Sequence, residues 1–481
     1  MSTTQIASTL RTLGIRSRAR RSRWAPLPVL LAGTCMVVLD FFIVNVALPS
    51  IQSQLHASAG SIEWVVAGYA LTSAVFLITG ARLGDRFGRR RIFAAGLTLF
   101  TIASAACGAA ATPTELVLAR LVQGVSAALL MPNVLSIIGV LYSGEDRARA
   151  LGAYATVMGL AAVAGQLVGG ALIAANPAGL GWRSVFLINV PIGAVALILC
   201  RRVIPESRAS KTPGLDWIGT LLVTGSLTAV LLPLVEGRQH RWPTWTWTSL
   251  VIAPVLLATL VAHQRRLHRA GGAPLVDPSL FRHRSFSGGL VAQLGFWSGQ
   301  ASFFVVLALY LQQGRGLRPL PAGLVFTILA VAYLAASVAA PSLVMRHGRR
   351  VIAAGALVLA AGHALLLLAV ADVGVGGSVA VLAPGLLLVG AGMGLVLAPL
   401  ATTILQGVDP EHAGAASGMA TTVQNVGNAL GVAITGVIFF GALHAGYAHA
   451  FELAVGELAV TLVAVAALSR LLPPSERTAV T

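Results

Sequence analysis

Apolar residues fill this chain in long blocks, and charged residues are confined to the short stretches between them. The blocks lie at about 27–49, 62–82, 92–111, 115–141, 147–174, 184–204, 216–236, 247–264, 286–312, 321–345, 350–371, 378–405, 411–441 and 450–472. A helix needs about 20 apolar residues to cross a bilayer, so this pattern predicts fourteen spans. Several blocks exceed about 25 residues and should tilt or bend at their ends. The pair 216–236 and 247–264 is the least distinctly bounded.

Composition agrees with the pattern. Of 481 residues, 56% are hydrophobic and 10% charged. Soluble domains carry about 25% charged residues. The predicted fold class is an all-α membrane protein embedded in a lipid bilayer.

The net charge of +17 would suggest nucleic acid in a soluble protein, but here its placement argues for topology instead. Of 33 Lys and Arg residues, 27 fall in loops on one side and five (Arg183, Arg238, Arg241, Arg315 and Arg318) on the other; Arg120 lies within a span. That asymmetry predicts a multi-pass protein of the cell membrane with both termini cytoplasmic. Cys35, Cys107 and Cys200 have no metal or disulfide spacing and read as small packing residues. The first apolar run is read as a retained helix rather than a cleaved leader.

An internal repeat supplies the architecture. Leu83 to Leu99 reads LGDRFGRRRIFAAGLTL, and Leu343 to Leu359 reads LVMRHGRRVIAAGALVL. A shift of 260 residues superposes Leu83, Arg86, Gly88, Arg89, Arg90 and Ile92 on Leu343, Arg346, Gly348, Arg349, Arg350 and Ile352. Both copies join a second to a third span on the same side, so the repeat is parallel, as in one class of secondary transporters. The chain divides into a basic N-terminus (1–26), a six-helix bundle (27–204), two inserted helices with linkers (205–284), a second bundle (285–472) and a tail (473–481).

Asp40 sits near the middle of the first span. A carboxylate at bilayer depth costs several kcal/mol unless it is protonated, paired or wet, and so marks a functional site. Arg120 in the fourth span is the one embedded arginine and a candidate partner; hydrogen bonding to backbone carbonyls is the plainer reading. A nearby positive charge favours the ionised form of a carboxyl, and desolvation favours the protonated form. A change of access could switch which effect dominates.

Other embedded polar residues are candidates for a substrate cavity: Asn45, Gln293, Trp297, Gln300, Gln424 and Asn428. Gln424 and Asn428 are one turn apart with Thr421 on the same face, and Gln293 and Gln300 also share a face. Ordinary bonds between helices would explain these stripes equally. Phe296, Trp297, Phe303 and Phe304 could stack on an aromatic substrate, or simply pack. His363 reads as packing, and Glu457 as an acid that reaches the outer interface.

Six segments, in order, resemble the major facilitator superfamily, in particular its fourteen-span drug:proton antiporter branch. They are LDFFIVNVALPSI (39–51), RLGDRFGRRRIF (82–93), LVLARLVQGVSAALLMP (116–132), WRSVFLINVPIG (182–193), DWIGTLL (216–222) and PLVDPSLFRHRSF (274–286). The resemblance implies two six-helix bundles plus two inserted helices and a drug or antibiotic exporter. It implies that Asp40 and Arg120 couple protons. It also implies that Asp85, Arg86, Gly88, Arg89 and Arg90 form a latch made in one conformation and broken in the other. Asp85 can pair locally or face a helix N-terminus of the other half. Ala81 stands where that family has glycine, so looser packing is expected there.

The antiporter motif of the fifth helix, Gly165, Gln166, Gly169 and Gly170, is partial: Ala161, Gly165 and Gly169, spaced i, i+4 and i+8, give a small-residue stripe, but Gln166 replaces the proline. Loss of that proline should remove a kink.

No nucleotide powers the work through a P-loop, because Lys211 follows Ser210 rather than glycine. No protease or esterase motif is present, so the chain reads as a secondary transporter and not an enzyme. No cofactor is expected beyond a proton gradient, and no oxygen cluster suits sodium. A gradient of 100 mV and one pH unit is worth about 3.7 kcal/mol per proton, enough for a roughly 500-fold substrate ratio. The expected function is proton-coupled efflux of a small amphipathic compound by a monomer, without nucleic acid. A metabolite importer or exchanger, and a receptor or assembly protein that transports nothing, remain alternatives. The scarcity of embedded acids leans towards neutral or monovalent substrates.

Overall fold

The computed structural model describes residues 23–209, 214–238, 240–405 and 413–469. Lys211, most of the basic N-terminus and the tail 473–481 lie outside the described residues. Fourteen long helices follow in order. They are α1 (Pro26–Leu55), α2 (Ala59–Phe87), α3 (Arg89–Ala109), α4 (Pro113–Leu141), α5 (Gly144–Ala175), α6 (Asn189–Val203), α7 (Trp217–Glu236), α8 (Thr244–Arg269), α9 (Arg284–Leu309), α10 (Pro319–His347), α11 (Arg350–Val373), α12 (Ala383–Leu405), α13 (Ala413–Ala442) and α14 (Tyr447–Ser469). Thirteen helical stretches are apolar and long enough to cross a membrane as single units, α6 only together with the short helical turns before it (Gly181–Val203); α5 makes fourteen if its two segments, bent by 41°, count as one span. No strand occurs among the described residues.

Local chemistry sets the ends. Ser58 caps α2 by accepting from the Ser61 N–H. Thr112 accepts from the Glu115 N–H, and the Glu115 carboxylate reaches back to the Ala111 N–H, a variant of the capping box that starts α4. Gly88 and Gly348, the matched glycines of the repeat, both take positive φ (112° and 56°), which frees the chain for the sharp turn after α2 and α10.

The repeat extends to packing. α2 and α10 match at both ends with the same 260-residue shift. In the first half α2 packs on α4, α3 on α4, α1 on α5 and α3 on α6; in the second, α10 packs on α12, α11 on α12, α9 on α13 and α11 on α14. Between halves α2 meets α13, and α5 meets α10. These are the same contact with the halves exchanged, as a two-fold axis along the membrane normal requires. The α2–α3 turn marks a basic face, rich in arginine; the α1–α2 turn marks the opposite face.

The inserted pair α7–α8 packs chiefly on itself, with α7 also touching α2 and α13. Its basic end is tied by Asp216, which accepts from the Gly219 N–H (2.8 Å), His263 (2.9 Å), Gln264 (2.7 Å) and the Leu275 N–H (3.2 Å). Burial pushes this carboxyl up, yet these bonds together hold it below the ordinary aspartate range. Arg82 of α2 donates to the carbonyls of Gly214, Ala273 and Pro274. The sequence segments around 216 and 274 are therefore two sides of one knot.

Candidate functional site

Asp40 and Arg120 form a salt bridge with both side chains fully buried. The other Asp40 oxygen accepts from Asn189 of α6 (2.9 Å) and Gln123 of α4 (3.1 Å). Arg120 also donates to the Val65 carbonyl of α2 (2.9 Å) and to Gln123 Oε1 (2.8 Å). Its guanidinium lies 4.4 Å from the Tyr69 ring centroid and 5.8 Å from that of Phe186. Gln123 continues to Ser104 of α3 (2.8 Å) and accepts from Cys107 (3.2 Å). One carboxylate thus draws side chains of three helices into one network, inside the first bundle and away from lipid. Arg120 makes the expected partner contact and the backbone contact as well.

Gln123 and Asn189 were missed by sequence reasoning. Gln123 carried a signal, lying three residues after Arg120 on the same helical face.

A small cavity opens between the halves at mid-membrane depth. It is lined by Val37, Val38, Phe41, Phe42, Tyr69, Ser73, Leu77, Met131, Trp297, Thr421, Gln424, Asn425 and Asn428, and its volume is about 90 Å³. Tyr69 faces both sites: it lines the cavity and covers Arg120, and its hydroxyl donates to the Val37 carbonyl (3.4 Å). Of the expected cavity residues, Trp297, Gln424 and Asn428 line it, but Asn45, Gln293 and Gln300 do not. Gln293 donates to the Ala420 carbonyl (2.6 Å) and Gln300 to its own helix (3.5 Å). Asn45 is buried in α1. Helical face alone could not separate amides that join helices from amides that line space. A larger groove between α1 and α6 has an all-apolar lining that includes Pro28, Val195 and Leu199, and it lacks the groups to orient a ligand.

At the basic face, Asp85 accepts twice from Arg89 (2.7 and 3.0 Å). Glu206, just after α6, accepts from the Arg90 N–H (3.0 Å) and lies 3.6 Å from both Arg90 and Arg91. Its carboxylate rests over Gly88, where a Cβ would come within 2.6 Å. Arg86 lies over the Phe87 ring. Among the described residues the Asp85 carboxylate bonds to Arg89, its backbone carbonyl accepts from the Ala209 N–H (3.2 Å) just beyond the first bundle, and no bond reaches the second half. The looser packing expected at Ala81 does not follow, because Gly80 and Gly84 on either side press against Ala128 and Asn133 too closely to admit a Cβ.

The fifth helix corrects a second expectation. α5 bends by 41° between Gly144–Ala162 and Ala164–Ala175, without proline. The bend falls just before Gly165. Gly165 and Gly169 lie on Phe42 and Ile43 of α1, and Gly170 lies on Pro319 and Leu320 of α10. Close approach to two helices fixes the path that a proline would otherwise set. Gln166 is buried, and both its amide atoms lack a hydrogen-bond partner.

Contacts across the halves gather at the opposite face. Gln312 donates to the Val46 carbonyl (2.9 Å), and Gln313 to Gln52 (2.9 Å). Glu63 of α2 pairs with Arg238 (3.4 Å) and lies against Gly436 of α13. Trp64 donates to Glu236 (2.9 Å). Around the cavity, among the described residues, the halves are joined by the bond from Asn425 to Ser73, at 3.4 Å. Glu457 lies midway along α14, not at an interface, and accepts from Thr435 (3.0 Å) and Thr461 (3.2 Å). His363 packs edge-on against Phe303.

Comparison with known proteins places this geometry. A family model for the Major Facilitator Superfamily matches residues 30–432. A probable actinorhodin transporter of Streptomyces coelicolor is 39% identical over 422 residues, spanning 88% of this chain and 73% of the relative. The puromycin resistance protein pur8 of Streptomyces alboniger is 34% identical, spanning 92% and 90% of the two chains. The cephamycin export protein CmcT of Amycolatopsis lactamdurans is 34% identical, spanning 96% and 95%. Among solved structures, a bacterial homologue of the human lysosomal transporter Spinster, inward-facing and occupied, superposes with a TM-score of 0.67 at 17% identity over 93% of this chain and 96% of that one. This multi-pass membrane protein belongs to the Major Facilitator Superfamily of secondary transporters.

Proposed function

We propose that the protein exports a small amphipathic drug or antibiotic across the cytoplasmic membrane, driven by proton entry and working by alternating access. The observation that carries this reading is the enclosed Asp40–Arg120 pair, set against the cavity wall through Tyr69. The relatives named for export and resistance support the direction of transport. The bias of arginines supports a cytoplasmic position for the basic face.

In this conformation the bonds between halves lie at the opposite face, so substrate enters from the basic side. Outward opening then breaks the Gln312, Gln313 and Gly170 contacts and admits a proton to Asp40. A protonated Asp40 no longer needs a cation, and Arg120 keeps the Val65 carbonyl, Gln123 and two aromatic faces. Return to the inward state releases the proton to the cytoplasm and restores the salt bridge. The turn that holds Asp85, Arg89 and Glu206 is the latch in this cycle. The two-fold axis closes within one chain, so a monomer suffices, and no cofactor enters.

Inside-out vesicles with an acidified lumen test the scheme. Asp40→Asn should insert normally yet lose gradient-driven substrate accumulation. Accumulation equal to that of the unaltered protein would remove Asp40 from coupling.

A further inference from the structure

The central cavity has two unlike walls, and their chemistry points to a class of substrate. One wall is aromatic. Phe41, Phe42 and Tyr69 form one ring cluster, with Phe42 edge-on to Phe41 (centroids 5.2 Å apart) and Tyr69 tilted against Phe41 (5.9 Å). The other wall is the row Thr421, Gln424, Asn425 and Asn428, spaced i, i+3, i+4 and i+7 along one face of α13.

The place of this row is fixed from behind. Gly427 and Gly431 press on α9 so closely that a Cβ at Gly431 would lie 1.8 Å from the Ser298 carbonyl, and one at Gly427 would lie 3.1 Å from Trp297 Cβ. Trp297 is thereby held beside the amides.

Two observations say what the row meets. Asn428 is 2% exposed, and its Oδ1 has no hydrogen-bond partner. A buried amide oxygen left unpaired is costly unless a ligand supplies the donor. The lining also contains no charged residue. Asp40 is engaged by Arg120, Asn189 and Gln123, and Glu63 by Arg238. A permanent cation would lose its hydration here and find no counter-ion.

We propose that the cavity selects an uncharged, planar, multi-ring aromatic compound carrying hydroxyl and carbonyl groups. Its rings lie against Phe41, Tyr69 and Trp297, and its oxygens bond to Gln424, Asn425 and Asn428. This rests on the export reading and narrows it. At about 90 Å³ the space is below the roughly 300 Å³ that a drug-sized ligand fills. The halves therefore part at the basic face to admit it, and among the described residues the bond this breaks at the cavity is Asn425 to Ser73 (3.4 Å).

Three probes of similar ring size test the inference with the full-length protein in lipid nanodiscs: a neutral dihydroxyanthraquinone, anthracene without any oxygen, and a permanently cationic N-methylacridinium. Binding is read by quenching of tryptophan emission, and transport in inside-out vesicles. The dihydroxy compound should bind at least tenfold tighter than the acridinium. Asn428→Leu and Gln424→Leu should each weaken it about 5- to 10-fold. Both variants should leave anthracene binding nearly unchanged, which confirms that they fold. Acridinium binding as tight as the neutral compound, indifference of the dihydroxy compound to both substitutions, or failure of all three probes to bind would overturn the proposal. Proton-driven transport of acridinium would overturn it while leaving export intact. Tight neutral binding without gradient-driven transport would uphold it and sink the export reading.

Discussion

The two halves of the buried ion pair should not be equally expendable. A guanidinium cannot shed its proton in a protein, whereas a carboxyl can take one up. Asp40→Asn therefore strands a permanent charge at a fully buried site. Removing one partner of such a pair commonly costs 3–5 kcal/mol. The bonds from Arg120 to Val65 and Gln123, and the rings of Tyr69 and Phe186, soften that loss but add no counter-charge. Arg120→Met leaves Asp40 free to become a neutral acid that still faces Asn189 and Gln123. We expect Asp40→Asn to destabilise the protein more than Arg120→Met. The double variant should recover part of the loss. A thiol-reactive fluorophore can follow thermal unfolding in detergent, because Cys107 and Cys200 are fully buried. Equal losses for the two single variants, or a larger loss for Arg120→Met, would refute the reasoning.

Other expectations follow from specific contacts. Gly431→Ala forces a methyl into the Ser298 carbonyl and should abolish stable expression, while Gly418→Ala, with nothing within 4 Å, should be silent; fluorescence-detected size exclusion distinguishes them. A disulfide between Gln52→Cys and Gln313→Cys, in a background without native cysteines, should hold the opposite face shut and stop transport reversibly with reductant. Asp216→Asn should lower stability at pH 7 by about 2–3 kcal/mol, since its carboxylate accepts four bonds and a neutral amide cannot replace them all. The folded-state value of Asp216 is lowered, so its contribution is present above the unfolded aspartate range and fades as pH falls through the folded value. The difference in unfolding temperature between Asp216→Asn and the parent should thus narrow below about pH 4; a constant difference down to pH 3 would contradict it.

What the sequence disclosed, and what it hid, divides along physical lines. Hydrophobic blocks exposed the helices, and a shared 260-residue shift exposed the relation of α2 to α10. Asp40 and Arg120 stood out because embedded charge is expensive, and an expensive residue announces itself in any apolar run. Neutral polar partners do not: Asn189 and Gln123 resemble any other amide in a span until their neighbours are known. Gln293 and Gln424 show the same ambiguity, since one joins helices and the other faces space. The bend in α5 was hidden because it arises from contacts with α1 and α10 rather than from its own residues. Glu206 was hidden for a related reason, since it lies 116 positions after the Arg90 amide it binds.

The inserted pair is fastened unevenly. Towards α2 it has directional polar links at three levels: Arg82 on the carbonyls of Gly214, Ala273 and Pro274, Thr79 on Thr220 (3.2 Å), and Trp64 on Glu236. Towards α13 it offers mainly Leu231 and Val235, beside Ala429 and Ala433, with Arg238 over the Phe440 ring. Hydrogen bonds fail when displaced by an ångström or so, whereas smooth aliphatic surfaces slide with little loss. The pair is riveted to one half and greased against the other, so it serves as a bearing on which the second half can swing.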